Sequence, residues 1–246
     1  MSKFFRNAKV RGFTLVELLV VIAIIGILVS IVMPAITDAL MRGRLTQMAA
    51  NGRNMIQQLM SQETQDIYTS QAVVWPRSGG SDPDMGQFQH STEYFHWLVT
   101  NEIMNVNFNY FAGPGVPAAP SEQEFATGTP TGRYNAWCIV GDVTTRTAET
   151  TPVLFTRNLG ADAGIDTGGQ TYTELDMDVF QSDEQMDQLF VGEPFQNRGF
   201  VFVTKGGAAF APFKDDMRVR NFTNIFKIYQ DRDDTRYPVL RPGSSG

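Results

Sequence analysis

The chain has 246 residues, of which 42% are hydrophobic, and a single cysteine. Its formal net charge is −6, and because four of its cations precede residue 13, the remainder carries a formal charge of −10. So acidic a chain is poorly suited to binding nucleic acid through phosphates, and one cysteine excludes an intramolecular disulfide.

A basic start is followed by a long apolar run. The first 12 residues contain no acidic residue and four cations, Lys3, Arg6, Lys9 and Arg11. From Phe13 to Ile36 the only charged residue is Glu17. A helix of this length rises about 36 Å, enough to cross a hydrocarbon core of about 30 Å. Because basic residues stay cytoplasmic, we expect a single-pass anchor with the bulk of the chain outside.

Two ordinary interpretations of this run fit poorly. A secretory signal has an apolar region of about 7–15 residues and a small-x-small cleavage site, whereas this run is longer and ends at Met33-Pro34-Ala35-Ile36. A plain membrane anchor has no use for Glu17, because a carboxylate near the bilayer centre costs about 2.5–3.5 kcal/mol. Glu17 therefore indicates a function within the membrane segment.

Residues 12–17, Gly-Phe-Thr-Leu-Val-Glu, resemble the processing site of the type IV pilin and type II secretion pseudopilin superfamily. The resemblance implies that a prepilin peptidase cuts between Gly12 and Phe13, that Phe13 becomes N-methylated, and that Glu17 is the assembly glutamate. Gly26 and Pro34 match helix-loosening positions of the family's N-terminal helix. The resemblance covers only the first part of the chain.

The same residues have a direct physical interpretation. A free amine on Phe13 is a cation in an apolar environment, and Glu17 is an anion in the same environment. Pairing them relieves the desolvation cost of both charges. Because the leader blocks that amine before cleavage, we expect cleavage to act as an assembly switch.

The helical pattern continues beyond Pro34, where we expect a kink or local melting. An apolar stripe at alternating spacings of four and three predicts an amphipathic helix to about Glu63: Met41, Leu45, Met48, Gly52, Met55 and Leu59. Polar residues fall between them: Arg44, Gln47, Asn51, Asn54 and Gln58. The predicted organisation is a cleaved leader at 1–12, a membrane and assembly helix at 13–36, its amphipathic half at 37–66, and a globular domain at 67–246.

The globular domain is predicted to be loop-like at 69–90 and 111–131, where Pro and Gly are frequent. Between these loops Ser91 is expected to cap a helix that runs to about Asn105. Strands are predicted at Tyr134–Val140 and Pro152–Arg157, followed by a hairpin of Gly199–Lys205 and Ala208–Phe213 around Gly206-Gly207. Residues 222–229 are ambiguous between strand and helix. The predicted fold is α+β and pilin-like, with a long N-terminal helix packed on an antiparallel sheet.

Cofactor signals are weak. The acidic insertion at 158–197 contains nine acidic residues and no Lys or Arg, and a solvated surface with a short helix at 183–190 is the default expectation. Calcium is the alternative, because hard cations need several oxygen ligands. The weak candidates are Asp176, Asp178, Asp231, Asp233 and Asp234, and their spacing matches no EF-hand loop. His90 and His96 are six residues apart and do not share a helical face. Cys138, in an apolar run, is predicted to be a buried thiol.

The leading hypothesis is therefore a structural subunit that polymerises through its N-terminal helix into a type II secretion pseudopilus or a type IV pilus. Its expected partners are further copies of itself, other pilin-like subunits, prepilin peptidase and the membrane, with no nucleic acid. Its expected location is the bacterial inner membrane, with the globular domain periplasmic, and then a filament. The alternative is a membrane-anchored periplasmic module with an adhesive or cargo-binding head. No catalytic motif is present, so an enzyme is not expected.

Overall fold

The structure is a computed structural model that describes residues 13–69, 74–76, 88, 90–127, 132–159, 173–174, 190, 192–216 and 238–243. The chain divides into two compact units, Met1–Gly43 and Arg44–Gly246. Its elements confirm the predicted α+β class, with a long N-terminal helix and an antiparallel sheet. The second unit contains the sheet.

Helix α1 covers Leu15–Thr69 and therefore extends somewhat beyond its predicted end. Within the second unit the side chains of the predicted stripe that are buried are Leu45, Met48, Met55 and Leu59. Burial of one face at this spacing confirms that this part of α1 is amphipathic. Ile56 and Glu63 are buried as well, so the covered face is broader than the predicted stripe.

Helix α2 covers Ser91–Thr100 and is shorter than predicted. Ser91 is not the cap, because His90 occupies the N-cap position without a capping side-chain hydrogen bond. The Ser91 hydroxyl instead donates to the carbonyl oxygen of Trp137 at 2.7 Å and accepts from Asn135 Nδ2 at 3.0 Å. Ser91 thus ties α2 to the sheet through a long-range contact that no local pattern reveals.

The prediction of a surface loop at 111–131 is partly wrong, because this segment contains helix α3 at Glu122–Thr127. Phe125 anchors this helix, with its ring centroid 4.8 Å from that of Phe108 and 5.1 Å from that of Phe111. Phe111 and Phe125 are both fully buried. Aromatic burial of this kind holds a Pro- and Gly-rich segment against the core.

Among the described residues, six strands form one antiparallel sheet: β1 Trp137–Val140, β2 Pro152–Thr156, β3 Thr173–Glu174, β4 Phe202–Thr204, β5 Ala209–Phe210 and β6 Pro238–Leu240. Their order is β3-β6-β1-β2-β4-β5, and Cys138 lies opposite Phe155 in the central pair. The two predicted strands and the hairpin are confirmed, with shorter bounds. Strands β3 and β6 were not predicted, and residues 222–229 lie outside the described part of the chain.

Helix α1 packs closely on the sheet at Gly52. A Cβ atom at this position would lie 2.8 Å from Val203 Cγ2 and 2.9 Å from Trp137 Cη2. Gly199 meets α1 in the same way, since its Cβ would lie 2.8 Å from Leu45 Cδ1. Glycine at these two positions therefore lets side chains of one element pack directly against the backbone of the other.

A buried ion pair joins the C-terminal part of α1 to the hairpin turn. Lys205 Nζ lies 3.4 Å from Glu63 Oε1, and the two side chains are only 4% and 9% exposed. The same ammonium group donates to the carbonyl oxygen of Thr144 at 2.6 Å. Sequence reasoning missed this pair, because a lysine beside two turn glycines is ordinarily solvated.

Cys138 is a buried free thiol, as predicted. Burial raises its pKa to about 11. The thiolate is the reactive form of cysteine, so this residue is suited to packing within β1 and not to chemistry at neutral pH.

Substituting Gly52 tests the close approach. Gly52→Ala is expected to lower the free energy of unfolding by about 1–3 kcal/mol, because the added methyl overlaps the Trp137 ring. Gly43→Ala is the matched control, since a Cβ there meets nothing within 4 Å and alanine should stabilise the helix by about 0.5–1 kcal/mol. Urea unfolding of the full chain in detergent, followed by tryptophan fluorescence, measures both. Effects of the same sign would contradict the packing assigned to Gly52.

The ion pair is tested by a double-mutant cycle. Lys205→Met alone leaves the Glu63 carboxylate buried without its cation and should cost about 3–5 kcal/mol of unfolding free energy. Glu63→Leu combined with Lys205→Met should recover most of that loss, because no buried charge then remains. Additive single effects in the same urea assay would show that the two side chains do not interact.

Candidate functional site

Large apolar side chains are exposed mainly at the start of the chain. Among the described residues, every exposed large hydrophobic side chain lies between Phe13 and Leu40, with the single exception of Phe210. Soluble monomers rarely expose so continuous an apolar surface. By length and composition α1 is the one described helix able to cross a membrane, with a mean hydropathy of 3.1 over its most apolar 18-residue window.

The first turn of α1 is closed by a reciprocal pair of side chains. The hydroxyl of Thr14 accepts from the backbone N–H of Glu17 at 3.2 Å. In return, Glu17 Oε2 accepts from the backbone N–H and from the hydroxyl of Thr14, both at 2.8 Å. This is a capping box, with Thr14 as the N-cap residue and Glu17 three positions later. It accounts for the helix beginning at Leu15 and not at Phe13.

The capping box adds a residue that sequence reasoning missed. The Thr-x-x-Glu spacing of Thr14 and Glu17 is present in the sequence, but the prediction considered only the charge of Glu17 and not its hydrogen bond to Thr14. In the uncleaved chain the nitrogen of Phe13 is a neutral amide, and the Glu17 carboxylate is satisfied one turn away by Thr14. The carboxylate therefore lies at the helix start, where the macrodipole favours a negative charge.

The two helix-loosening candidates lie inside the helix, which remains continuous at both. Pro34 has no N–H, so the carbonyl of Ser30 receives no backbone hydrogen bond from it. Beyond Pro34 the hydroxyl of Thr37 donates to the carbonyl oxygens of Pro34, at 2.8 Å, and Met33, at 3.2 Å. A Cβ at Gly26 would meet nothing within 4 Å. The loosening role of Gly26 and Pro34 stays a prediction.

The calcium candidates Asp176, Asp178, Asp231, Asp233 and Asp234 all lie outside the described residues. Within the described part of the chain no group of three His, Cys, Asp or Glu side chains is placed to hold a metal ion.

The two histidines have structural surroundings. His96 Nε2 lies 3.3 Å from Glu122 Oε1, and its ring stacks on Phe108 with centroids 5.8 Å apart. His90 provides the N-cap backbone of α2. Both contacts concern the packing of α2 and its neighbours.

Comparison with known protein families identifies the N-terminal segment. No solved structure was found to match the chain. The family model described as the prokaryotic N-terminal methylation motif matches residues 7–33. This range contains Gly12, Phe13 and the Thr14–Glu17 capping box, followed by most of the exposed apolar helix. The chain therefore carries the prepilin-type signal of type IV pilins and pseudopilins, and with it a membrane-anchoring N-terminal helix.

Proposed function

We propose that this protein is a structural subunit that polymerises into a type II secretion pseudopilus or a type IV pilus. A prepilin peptidase removes residues 1–12 and methylates Phe13, and residues 13–36 then pass from the membrane into a filament core. The observation that carries the proposal is the exposed apolar surface from Phe13 to Ile36, in which Glu17, close to its start, is the only charged residue.

Helix packing supplies the assembly energy in this proposal. Lipid tails are as apolar as the helix, so association depends on van der Waals packing and on polar contacts between helices. Glu17 is the polar contact, because its carboxylate pairs with the free amine that cleavage creates on Phe13. An ion pair of this kind fixes register, since a displaced helix leaves both charges unpaired in an apolar surrounding.

The proposed topology follows from the charge of the leader. Its four cations, between Lys3 and Arg11, hold the N-terminus in the cytoplasm. The helix then crosses the bacterial inner membrane, and the sheet-containing unit lies in the periplasm. In this arrangement the other partners are further copies of the chain and other pilin-like subunits. The protein has no enzymatic role in the proposal.

Processing is the first prediction. The protein isolated from its native host should lack residues 1–12 and carry one additional methyl group on Phe13. Intact-mass measurement of filament and membrane fractions decides this. A filament fraction that still contains Met1 would contradict the proposed cleavage.

The second prediction concerns Glu17. Glu17→Ala leaves the Phe13 amine without a partner, and breaking a buried pair in this way typically costs about 3–5 kcal/mol per subunit. We expect normal cleavage and membrane insertion but almost no subunit in sheared filaments. Glu122→Ala, an exposed carboxylate on α3, is the control and should assemble normally. A normal filament yield from Glu17→Ala would favour the anchored binding module instead.

The third prediction concerns Thr14. Thr14→Val removes the cap hydroxyl, which is worth about 1 kcal/mol to a helix start, and frees the Glu17 carboxylate to rotate. Filament yield should fall measurably but less than in Glu17→Ala, while Thr14→Ser should keep the yield near its original value. Thr37→Val removes a hydroxyl from the same helix away from its start and serves as control. Equal yields from Thr14→Val and Thr14→Ser would remove Thr14 from the assembly site.

A further inference from the structure

One polar face of α1 is hydrogen-bonded within the fold at one end and lines an open cleft at the other. Its members recur at spacings of three and four residues: Arg44, Gln47, Asn51, Asn54 and Gln58. The last two are engaged in the fold. Asn54 Nδ2 donates to the hydroxyl of Tyr110 at 2.8 Å, and Gln58 Oε1 accepts from the backbone N–H of Asn105 at 2.7 Å.

The first three members of this face line an open cleft of about 390 Å³. Its opposite wall is formed by Asn109 and the loop 112–115, and its floor by the buried Met48. Among the described residues, none forms a hydrogen bond or ion pair with the side chains of Arg44, Gln47, Asn51 or Asn109. One guanidinium and three carboxamides therefore face a space of ligand size. No acidic residue is among those that line it, and the Glu193 carboxyl packs against Gly115 of the loop wall.

The loop wall of the cleft is preformed. Gly113 and Val116 exchange two backbone hydrogen bonds, at 3.1 and 2.9 Å, which close a tight turn. A Cβ at Gly113 would lie 3.0 Å from Met48 Sδ, and Gly115 has a φ of 78° with the Glu193 carboxyl packed against it. These contacts hold the loop at a set distance from α1, so the cleft does not depend on a ligand for its shape.

The chemistry of the lining selects an anion that also carries hydroxyl groups. A guanidinium presents paired donors that match two oxygens of a phosphate. Carboxamides both donate and accept, so they bond hydroxyl groups and the remaining phosphate oxygens. A phosphodiester next to a small polyol, such as phosphoglycerol, satisfies all four side chains.

The position of Arg44 in the sequence indicates the source of such a group. Arg44 follows Ile36, the end of the predicted membrane segment, by eight residues, a tether of at most about 29 Å even when fully extended. A cleft tethered to the bilayer experiences a high effective concentration of phospholipid headgroups. Even a weak site would be occupied there, whereas a free phosphate would have to be bound from dilute solution.

We propose that the cleft between Arg44, Gln47 and Asn51 on α1 and the wall of Asn109 and the loop 112–115 binds the headgroup of an anionic glycerophospholipid. The phosphate lies on Arg44, and the glycerol hydroxyls lie on the carboxamides. The proposal rests on membrane anchoring and not on filament assembly. In this proposal the sheet-containing unit binds a lipid headgroup at the membrane surface. That headgroup must dissociate when a subunit leaves the bilayer.

The test uses the full chain in a nonionic detergent, titrated with short-chain phosphatidylglycerol and, for comparison, short-chain phosphatidylcholine. We expect saturable binding of phosphatidylglycerol, and a loss of about tenfold or more in Arg44→Gln, since a charge-assisted hydrogen bond contributes at least that factor. Arg53→Gln is the matched control, because Arg53 is exposed on the same helix but does not line the cleft. Native mass spectrometry counts the bound lipid.

Three outcomes would overturn the proposal. Equal losses of phosphatidylglycerol affinity in Arg44→Gln and Arg53→Gln would indicate non-specific electrostatic attraction and not a specific binding site. Equal affinity for inorganic phosphate or glycerol 3-phosphate would make the ligand a free phosphate, and preference for a glutamate-rich peptide would make it a protein partner. Asn51→Ala, which keeps the charge, should also weaken phosphatidylglycerol binding. Glu17→Ala should bind it normally, so failure of this proposal and failure of assembly are distinguishable.

Discussion

The close approach of α1 to the sheet at Gly52 is the contact on which the globular unit depends. With no side chain at this position, Trp137 on β1 and Val203 on β4 pack directly against the helix backbone. That contact sets the distance at which Leu45, Met48, Met55 and Leu59 reach the core. Interiors are packed at crystal-like density, so a change in this distance would be felt by every residue of the stripe.

Two cations, the buried Lys205 and the half-buried Arg157, take the place that a disulfide would have in a small extracellular domain. Lys205 joins Glu63 on α1 to the carbonyl of Thr144. Arg157 at the end of β2 donates to the carbonyl oxygens of Gly132 and Asn135, at 2.8 and 3.0 Å. Each cation ties together segments that are far apart in sequence through hydrogen bonds to backbone carbonyl oxygens. With Cys138 as the only thiol, such polar links and the aromatic core stabilise the fold.

In the proposed assembly, the Glu17 carboxylate at the start of α1 serves two states of the chain. Before cleavage Glu17 closes a capping box with Thr14, which gives the charge a partner at little cost. In the proposed assembled state the same carboxylate faces the amine that cleavage creates. A switch between two satisfied states avoids an unpaired charge in the membrane, which would be costly in either one.

Several features follow from the sequence alone because they are local or compositional. The Gly12–Phe13 processing signal, the apolar segment from Phe13 to Ile36, the amphipathic stripe of α1 and the hairpin around Gly206 all depend on spacing and on side-chain type within a few residues. The prepilin-type motif was recognised on this basis and is confirmed by the family match at residues 7–33.

Other features were decided only by tertiary structure, because they join residues that are distant in the chain. Ser91 was predicted to be a cap and instead bonds Trp137, and Lys205 was predicted only as the end of a hairpin strand, whereas it also pairs with Glu63. Strands β3 and β6 are too short to carry a pattern; β6 forms by pairing with an edge of β1, and β3 forms by pairing with β6. The same holds for the cleft, since the polar face of α1 is uniform in sequence. Asn105 and Tyr110 bond Gln58 and Asn54, whereas Arg44, Gln47 and Asn51 on the same face line the open cleft.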